Sequence, residues 1–380
     1  MLGRFLRNFL RFLFIAINLI AGLGLVLACY GNKLDQEKFW FVNLAALSTI
    51  YLLLLLLLMM LGWLFVKPKR AFISLIAFII CWSPLKNVVG LKFPEKFRFE
   101  KNSQDDLRIM TWNVEHFGLM DYKHHPEVKD SMIHCIRRYD PDIACFQEMT
   151  CSDSVPYAIN YLPRIADSIR MPYYHYAYRS KFNFDKKHHF GIIIFSKYPL
   201  VNKKIFSGNL QNYNEIFQYA DIARNRDTIR VFNLHLQTFK FNKENRIYLE
   251  SPTMDDETDL RNSANVLHKI RKNAIRHKEQ SDRIRQEIDK SPYPMIVCGD
   301  FNDVPNSYAY RTIGSGLKNA FRERGSGIDR TFSGISPTLR IDNIFCDDRF
   351  QVKQYDRMTR PYSDHYPVIA DLFLSSPVVP

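Results

Sequence analysis

Eight polar residues in this chain stand where short apolar runs end. They are Asn113 in RIMTWNVEHFG, Glu148 in DIACFQEM and His235 in VFNLHLQT. Asp300 and Asn302 follow in MIVCGDFND, then Asp342 in LRIDNIF, and Asp364 with His365 in YSDHYPV. A polar side chain beside a core needs a reason, and functional sites are commonly built where strands run into loops. Four acids, two amides and two histidines make a set suited to one task. Hard oxygen donors bind Mg²⁺, which keeps coordinated waters and accepts phosphate oxygens. A carboxylate can take a proton from water, while imidazolium and amide donors stabilise charge developing on phosphate. In outline this is the chemistry of hydrolytic phosphoryl transfer.

Those residues require elements that bring them together. Strand-like runs rich in Ile, Val, Phe and Tyr, bounded by Asp, Asn, Gly or Pro, occur at Leu107–Val114, Asp142–Gln147, Tyr173–Tyr178, Gly191–Ser196, Ile229–Leu236, Met295–Cys298, Leu339–Phe345 and Tyr366–Phe373. Helical patterning marks Pro126–Tyr139, Ala158–Ile169, Glu257–Ile288 and Ser307–Ile313, the long one carrying a stripe through Leu260, Val266, Ile270, Ala274, Ile284 and Ile288. An α/β or α+β domain follows, and periodicity alone does not choose its topology.

The first 90 residues differ in kind. They hold nine Lys+Arg and two acids, so +7 of the chain's net +13 belongs to this segment and only +6 to the rest. A mildly basic soluble part suits a phosphate-bearing substrate without singling out nucleic acid. Apolar stretches at 12–30, 41–66 and 71–91 are long enough to cross a bilayer, the last interrupted by Lys86, whose ammonium can snorkel. The expected organisation is a transmembrane anchor over 1–91, a polar linker over 92–105 and a soluble domain over 106–376. Arg4, Arg7 and Arg11 precede the first stretch, and Lys67, Lys69 and Arg70 separate the second from the third. The positive-inside rule then puts the N-terminus in the cytoplasm and everything after the third span on the extracytoplasmic side. No Cys/His zinc spacing is present, and pairing of Cys135 with Cys151 stays open.

In order along the chain, WNV, QE, HLQ, GDFN, RIDNIF and SDHYPV resemble the motifs of the endonuclease/exonuclease/phosphatase superfamily, which is deoxyribonuclease-I-like. The resemblance spans about residues 106–374. It implies a four-layer αββα sandwich, here preceded by about three transmembrane helices, with the site at one end of two packed sheets. It also implies roles. Glu148 resembles the principal metal-binding glutamate, with Asn113 and Asp364 lining the same metal site for Mg²⁺ or, alternatively, Mn²⁺. Asp300 resembles the aspartate that orients or deprotonates water, Asn302 the amide that contacts phosphate, and His365 the histidine that polarises it, with Asp342 as its carboxylate partner. His235 matches a second histidine near the leaving group. Taken singly, Asn113 can cap a turn, Asp300 can open an Asx turn and Asp342 can be a satisfied core carboxylate. The ordered series is what argues against so many separate structural roles.

Departures narrow the substrate only in part. Met149-Thr150 follows Glu148 where abasic-site endonucleases place a lysine two residues on, and LRIDNIF lacks the PAWCDR signature of inositol 5-phosphatases. The expected activity is metal-dependent hydrolysis of a phosphoester, nucleic acid or phospholipid, by a membrane-anchored enzyme. An endonuclease proper, a sphingomyelinase- or phosphoinositide-phosphatase-like lipid hydrolase and an inactive membrane binding protein are the alternatives. His116, His124, His125, His175, His188 and His189 read as solvated or structural, the basic run Lys269–Arg285 as the wet face of a helix, and 239–258 as a loop beside the site. Topology is directly testable. A C-terminal alkaline phosphatase fusion should be active and a C-terminal fluorescent fusion that matures only in the cytoplasm should be dim; the reverse pattern would mean two spans.

Overall fold

The computed structural model describes residues 2–183, 185–207, 216–238, 257–334 and 336–375. Among the described residues the strands are β1 Gly90–Leu91, β2 Leu107–Asn113, β3 Ile143–Cys151, β4 Tyr173–Asn183, β5 His189–Ser196, β6 Leu200–Ser207, β7 Ile216–Arg224, β8 Asp227–His235, β9 Met295–Asp300, β10 Lys318–Asn319, β11 Ser326–Gly327, β12 Asp342–Cys346, β13 Phe350–Arg357 and β14 Val368–Leu374. The α-helices are α1 Leu2–Tyr30, α2 Val42–Leu47, α3 Thr49–Val66, α4 Phe72–Leu85, α5 Glu127–Tyr139, α6 Leu162–Ser168, α7 Glu257–Asp289, α8 Tyr308–Ile313 and α9 Ala320–Arg324.

Two six-stranded sheets pack face to face, one in the order β13-β14-β2-β3-β5-β4, the other β10-β12-β9-β8-β7-β6. Ile109, Cys145 and Ile194 of the first meet Val231, Cys298 and Ile344 of the second in a dry central layer. α5 and α6 cover the outer face of the first sheet through Ile136, Leu162 and Ile165; α7 and α8 cover the second through Ile284, Ile288 and Tyr310. This is the four-layer αββα sandwich.

Each sheet has one parallel pair at its centre, β2 with β3 and β8 with β9, flanked by antiparallel strands. Parallel neighbours end at the same level, so the residues that follow them emerge together. His235 lies opposite Asp300 across β8 and β9, and Asp300 opposite Asp342 across β9 and β12. Gly299 makes this close approach feasible: its φ of +142° is glycine territory, and a Cβ there would lie 2.0 Å from Leu234 O.

The apolar run 41–66 is not one helix. It breaks at Ser48, whose Oγ donates to Leu44 O at 2.8 Å, while Thr49 Oγ1 donates to Ala46 O at 2.6 Å. α2 then packs Ala46 against Val304 and Ile341 of the sandwich instead of extending the span. Three helical stretches, Arg4–Lys33, Thr49–Val66 and Pro68–Leu85, are long and apolar enough to cross a membrane. Contacts of Phe14 with Trp63 and Gly24 with Leu52 make α1 and α3 antiparallel; Asn18 with Ser74 and Gly22 with Ala77 make α1 and α4 parallel. The third stretch ends at Leu85, and Gly90–Leu91 instead pairs with Ser326–Gly327.

The 92–105 segment is docked along part of its length. Arg108, buried, donates Nε and Nη2 to Asp371 at 2.7 and 2.8 Å, and Nη1 to Phe99 O and Tyr139 O at 2.7 Å each. One guanidinium thus joins the linker, α5 and β14. All seven cysteines are free: Cys151 donates to Asn160 O and Cys135 lies against Met358, so these two do not pair. Arg108→Met should strand the Asp371 charge and cost about 3–5 kcal/mol. In a domain of this size that is a fall in Tm on the order of 10 °C. A shift of a degree or two would show that the linker is held by other contacts.

Candidate active site

The polar residues singled out by type and position converge at one end of the sandwich. Asp300, at the end of β9, is 1% exposed and surrounded by donors. Its Oδ2 accepts from Asn113 Nδ2 at 3.1 Å and Asn302 Nδ2 at 3.2 Å, and its Oδ1 from the Asn302 backbone N–H at 2.8 Å. His235 Nε2 and His365 Nε2 stand 3.6 and 3.7 Å from Asp300 Oδ2. His365 Nδ1–H donates to Asp342 Oδ2 at 2.9 Å, which fixes the ring so that Nε2 faces the cavity.

Glu148 reaches the site through an irregularity in β3. Between Phe146 and Met149 the pairing with β5 gains a residue, and Glu148 takes the left-handed conformation at φ +51°. A bulge re-aims a side chain, and strained backbone of this kind clusters at working sites. Glu148 Oε1 lies 3.6 Å from His235 Nε2. Asp364 is the most open member, its carboxylate 3.9 Å from His365 Nε2.

The amides are committed locally. Asn302 Nδ2 also donates to Leu236 O at 2.9 Å, and Asn113 Oδ1 accepts from the Glu115 N–H at 3.2 Å. Both brace Asp300 and the turns that follow the strands.

Burial sets the charges apart. It drives the Glu148 carboxyl up to about 7, with the His365 charge opposing and Asp364 and Asp300 adding. Burial also raises Asp300, against the pull of His365. For His235 burial wins and the imidazole falls to about 4, so it is neutral. For His365 burial acts downward too, but Asp342 and Asp300 outweigh it and hold the ring well above its usual range, as imidazolium. Two neighbouring histidines therefore carry opposite protonation states.

Asp300, Asp342 and His365 each present a donor atom within 4.8 Å of one another, a grouping that could hold a cation. His365 Nδ1 is already bonded to Asp342, and Glu148 and Asp364 add two further carboxylates to the lining of the same cavity. The buried Nε2 of His235 has no hydrogen-bond partner among the described residues. A crowd of carboxylates beside an unpartnered donor fits a bound divalent cation and an anionic ligand.

Sequence reasoning missed Glu115 and His116. Both line the cavity, two and three residues after Asn113, and Glu115, His116 and Phe117 all have positive φ. Glu115 Oε2 accepts from the Asp364 N–H at 3.0 Å, and His116 Nδ1 pairs with Thr150 Oγ1 at 3.0 Å. Their place inside the WNVEHFG run was the available signal. His188, by contrast, is buried against Asp185 and His189 stacks on Tyr178, away from the cavity lining. Tyr173–Asn183 forms the edge strand β4, and most of the 239–258 segment lies outside the described residues.

Residues 110–365 match the family described as Endonuclease/Exonuclease/phosphatase, and residues 11–88 match a Domain of unknown function (DUF8431). No curated protein matches the chain. Among solved structures it is similar to an endonuclease/exonuclease/phosphatase from Beutenbergia cavernae, at 20% identity and TM-score 0.49, covering 71% of this chain and 72% of that one. It is similar also to a mannosyl-6-phosphatase from Bacteroides thetaiotaomicron, at 18% identity and TM-score 0.47, covering 70% and 99%. A truncated TDP2 from Caenorhabditis elegans aligns at 16% identity and TM-score 0.45, covering 70% and 97%.

The charge assignment can be checked. Asp342→Asn removes the anion bonded to His365, so the ring's titration midpoint should fall by at least about one unit. Imidazole NMR shifts report it; an unmoved midpoint would assign the proton's stabilisation to Asp300 alone.

Proposed function

This chain belongs to the endonuclease/exonuclease/phosphatase family, and we propose that it is a membrane-anchored, metal-dependent phosphoester hydrolase. One observation carries the reading: a buried aspartate, Asp300, and a histidine bonded to Asp342, His365, line the same cavity with Nε2 3.7 Å from the Asp300 carboxylate.

In the proposed reaction a water oxygen bonds to phosphorus while Asp300 takes one of its protons. His365 Nε2–H donates to a non-bridging phosphate oxygen and stabilises the charge gathering there. The bond between phosphorus and the leaving oxygen breaks; His235, whose Nε2 lies 3.6 Å from Glu148 Oε1 and from Asp300 Oδ2, is the proposed hydrogen-bond partner of that oxygen. The alcohol leaves with a proton from solvent, to which Asp300 returns the one it took. Asn302 and Asn113 hold Asp300 in place, and Asp342 holds His365. A divalent cation seated by Glu148 and Asp364, with Asn113 alongside, would neutralise phosphate charge as a Lewis acid. Mg²⁺ is the proposed ion because the donors are hard oxygens.

Three helices long and apolar enough to cross a membrane support the proposed attachment. Their packing puts Arg4–Arg11 and Lys67–Arg70 at the end of the bundle away from the sandwich. The sandwich meets the opposite end: Asn32 Nδ2 donates to Asn306 O at 2.6 Å, Asn87 Nδ2 to Asn306 Oδ1 at 3.0 Å, and Arg340 donates to Asn87 O. With the basic end cytoplasmic, the active site lies on the extracytoplasmic side.

The purified full chain should cleave bis-p-nitrophenyl phosphate with Mg²⁺ and lose that activity in EDTA. Asp300→Asn and His365→Ala should lower kcat by roughly 10² or more, and added Mg²⁺ should not restore it. Glu148→Gln should weaken metal binding and recover partly at high Mg²⁺. Near-normal turnover in folded Asp300→Asn and His365→Ala proteins would remove the assignment.

A further inference from the structure

The cavity in front of Asp300 and His365 has a volume of about 840 Å³, and one wall belongs to the membrane segment. Leu44, Leu47, Ser48 and Tyr51 line it, at the spacing that puts residues on one side of a helical run. Met120, Phe332 and Leu339 face them from the sandwich, and Tyr51 Oη meets Ser336 Oγ at 2.8 Å at the junction. The same spacing continues down α3 through Leu54, Leu55 and Leu58, which are 51%, 38% and 67% exposed. The opposite side of α3, at Leu56, Met59 and Trp63, is buried in the helix bundle. An apolar track thus runs from the bilayer-facing surface of the second span to the catalytic carboxylates.

Charge along the cavity points the same way. None of the described residues lining it is Lys or Arg. A groove for a nucleic-acid strand tracks the backbone with basic residues and stacks bases on aromatics. An aliphatic wall feeding a metal-type site suits a phosphate head on a hydrocarbon tail.

We infer that the substrate is a bilayer lipid phosphoester: its phosphate seats between Glu148, Asp300 and His365, and its hydrocarbon chain lies along Leu44, Leu47, Tyr51 and Leu54. The inference rests on the phosphoester-hydrolase reading above and names its substrate class. It also makes the anchor part of the binding site, since α2 and the first turn of α3 complete the pocket.

The test uses the full chain in lipid nanodiscs with Mg²⁺ and a series of p-nitrophenyl alkyl phosphate diesters, from ethyl to dodecyl. A buried methylene contributes up to about fourfold in binding. The value of kcat/KM should therefore rise at least tenfold along the series. Leu47→Gln should flatten that rise to within about threefold. Leu54→Gln, on the exposed side of α3, should blunt it for the longest chains. Ile79→Gln, on an exposed face of α4 off the track, should leave the profile as it is. A flat profile in the unmodified protein, or faster cleavage of a single-stranded DNA oligonucleotide than of any alkyl ester, would overturn the lipid assignment. Failure to cleave any ester would instead defeat the hydrolase reading itself.

Discussion

The carboxylate of Asp300 depends on both sheets at once. It comes from the second sheet, is braced by Asn113 from the first, and has histidines from β8 and from the turn before β14 within 4 Å. An unpaired buried carboxylate would be expensive, and only a matched set of donors makes its burial tolerable. That set exists because two parallel pairs, β2 with β3 and β8 with β9, end at the same level and face one another across the core. If either pair slipped by one residue, each side chain would turn to the other face and the donors would be lost.

From this constraint the electrostatics follow. Burial, with Asp364 and Asp300 beside it, raises the Glu148 carboxyl, and burial, with Asp342 beside it, raises Asp300. Asp342 and Asp300 hold the His365 ring well above its usual range, which sets a positive charge against these carboxylates. The divalent cation proposed above would offset the remaining negative charge, and a phosphate would be attracted by both that cation and His365. The local strain at Glu148, and at Glu115 through Phe117, is tolerable because the rigid sheets on either side over-determine it.

Much of this was legible before the fold was seen, because catalytic polar residues interrupt apolar strands and stand out there. Strands β2, β3, β5, β8, β9, β12 and β14 were all anticipated, with ends shifted by a few residues. Strands β6, β7 and β13 were not. β6 carries Asn202, Lys203 and Lys204, and β13 alternates Gln351, Lys353 and Asp356 with its apolar residues, as edge strands do. β7 buries Asp221 against Arg230 at 2.6 Å, so its core face does not read as apolar. The helix break at Ser48 was also hidden: hydropathy counts apolar residues without telling a lipid-facing leucine from one packed on a second domain. Only the fold shows that Leu44 and Leu47 belong to the pocket. It also shows Glu115 and His116 at the site, since which side of a left-handed turn faces the cavity is a three-dimensional property.

Where the cation and the phosphate bind is measured directly by an anomalous difference map from crystals of the full chain grown with Mn²⁺ and inorganic phosphate. A manganese peak bounded by the Glu148 and Asp364 carboxylates is expected, with phosphate density within hydrogen-bond reach of His365 Nε2. A peak between Asp342 and His365, or phosphate bound only outside the cavity, would contradict that placement.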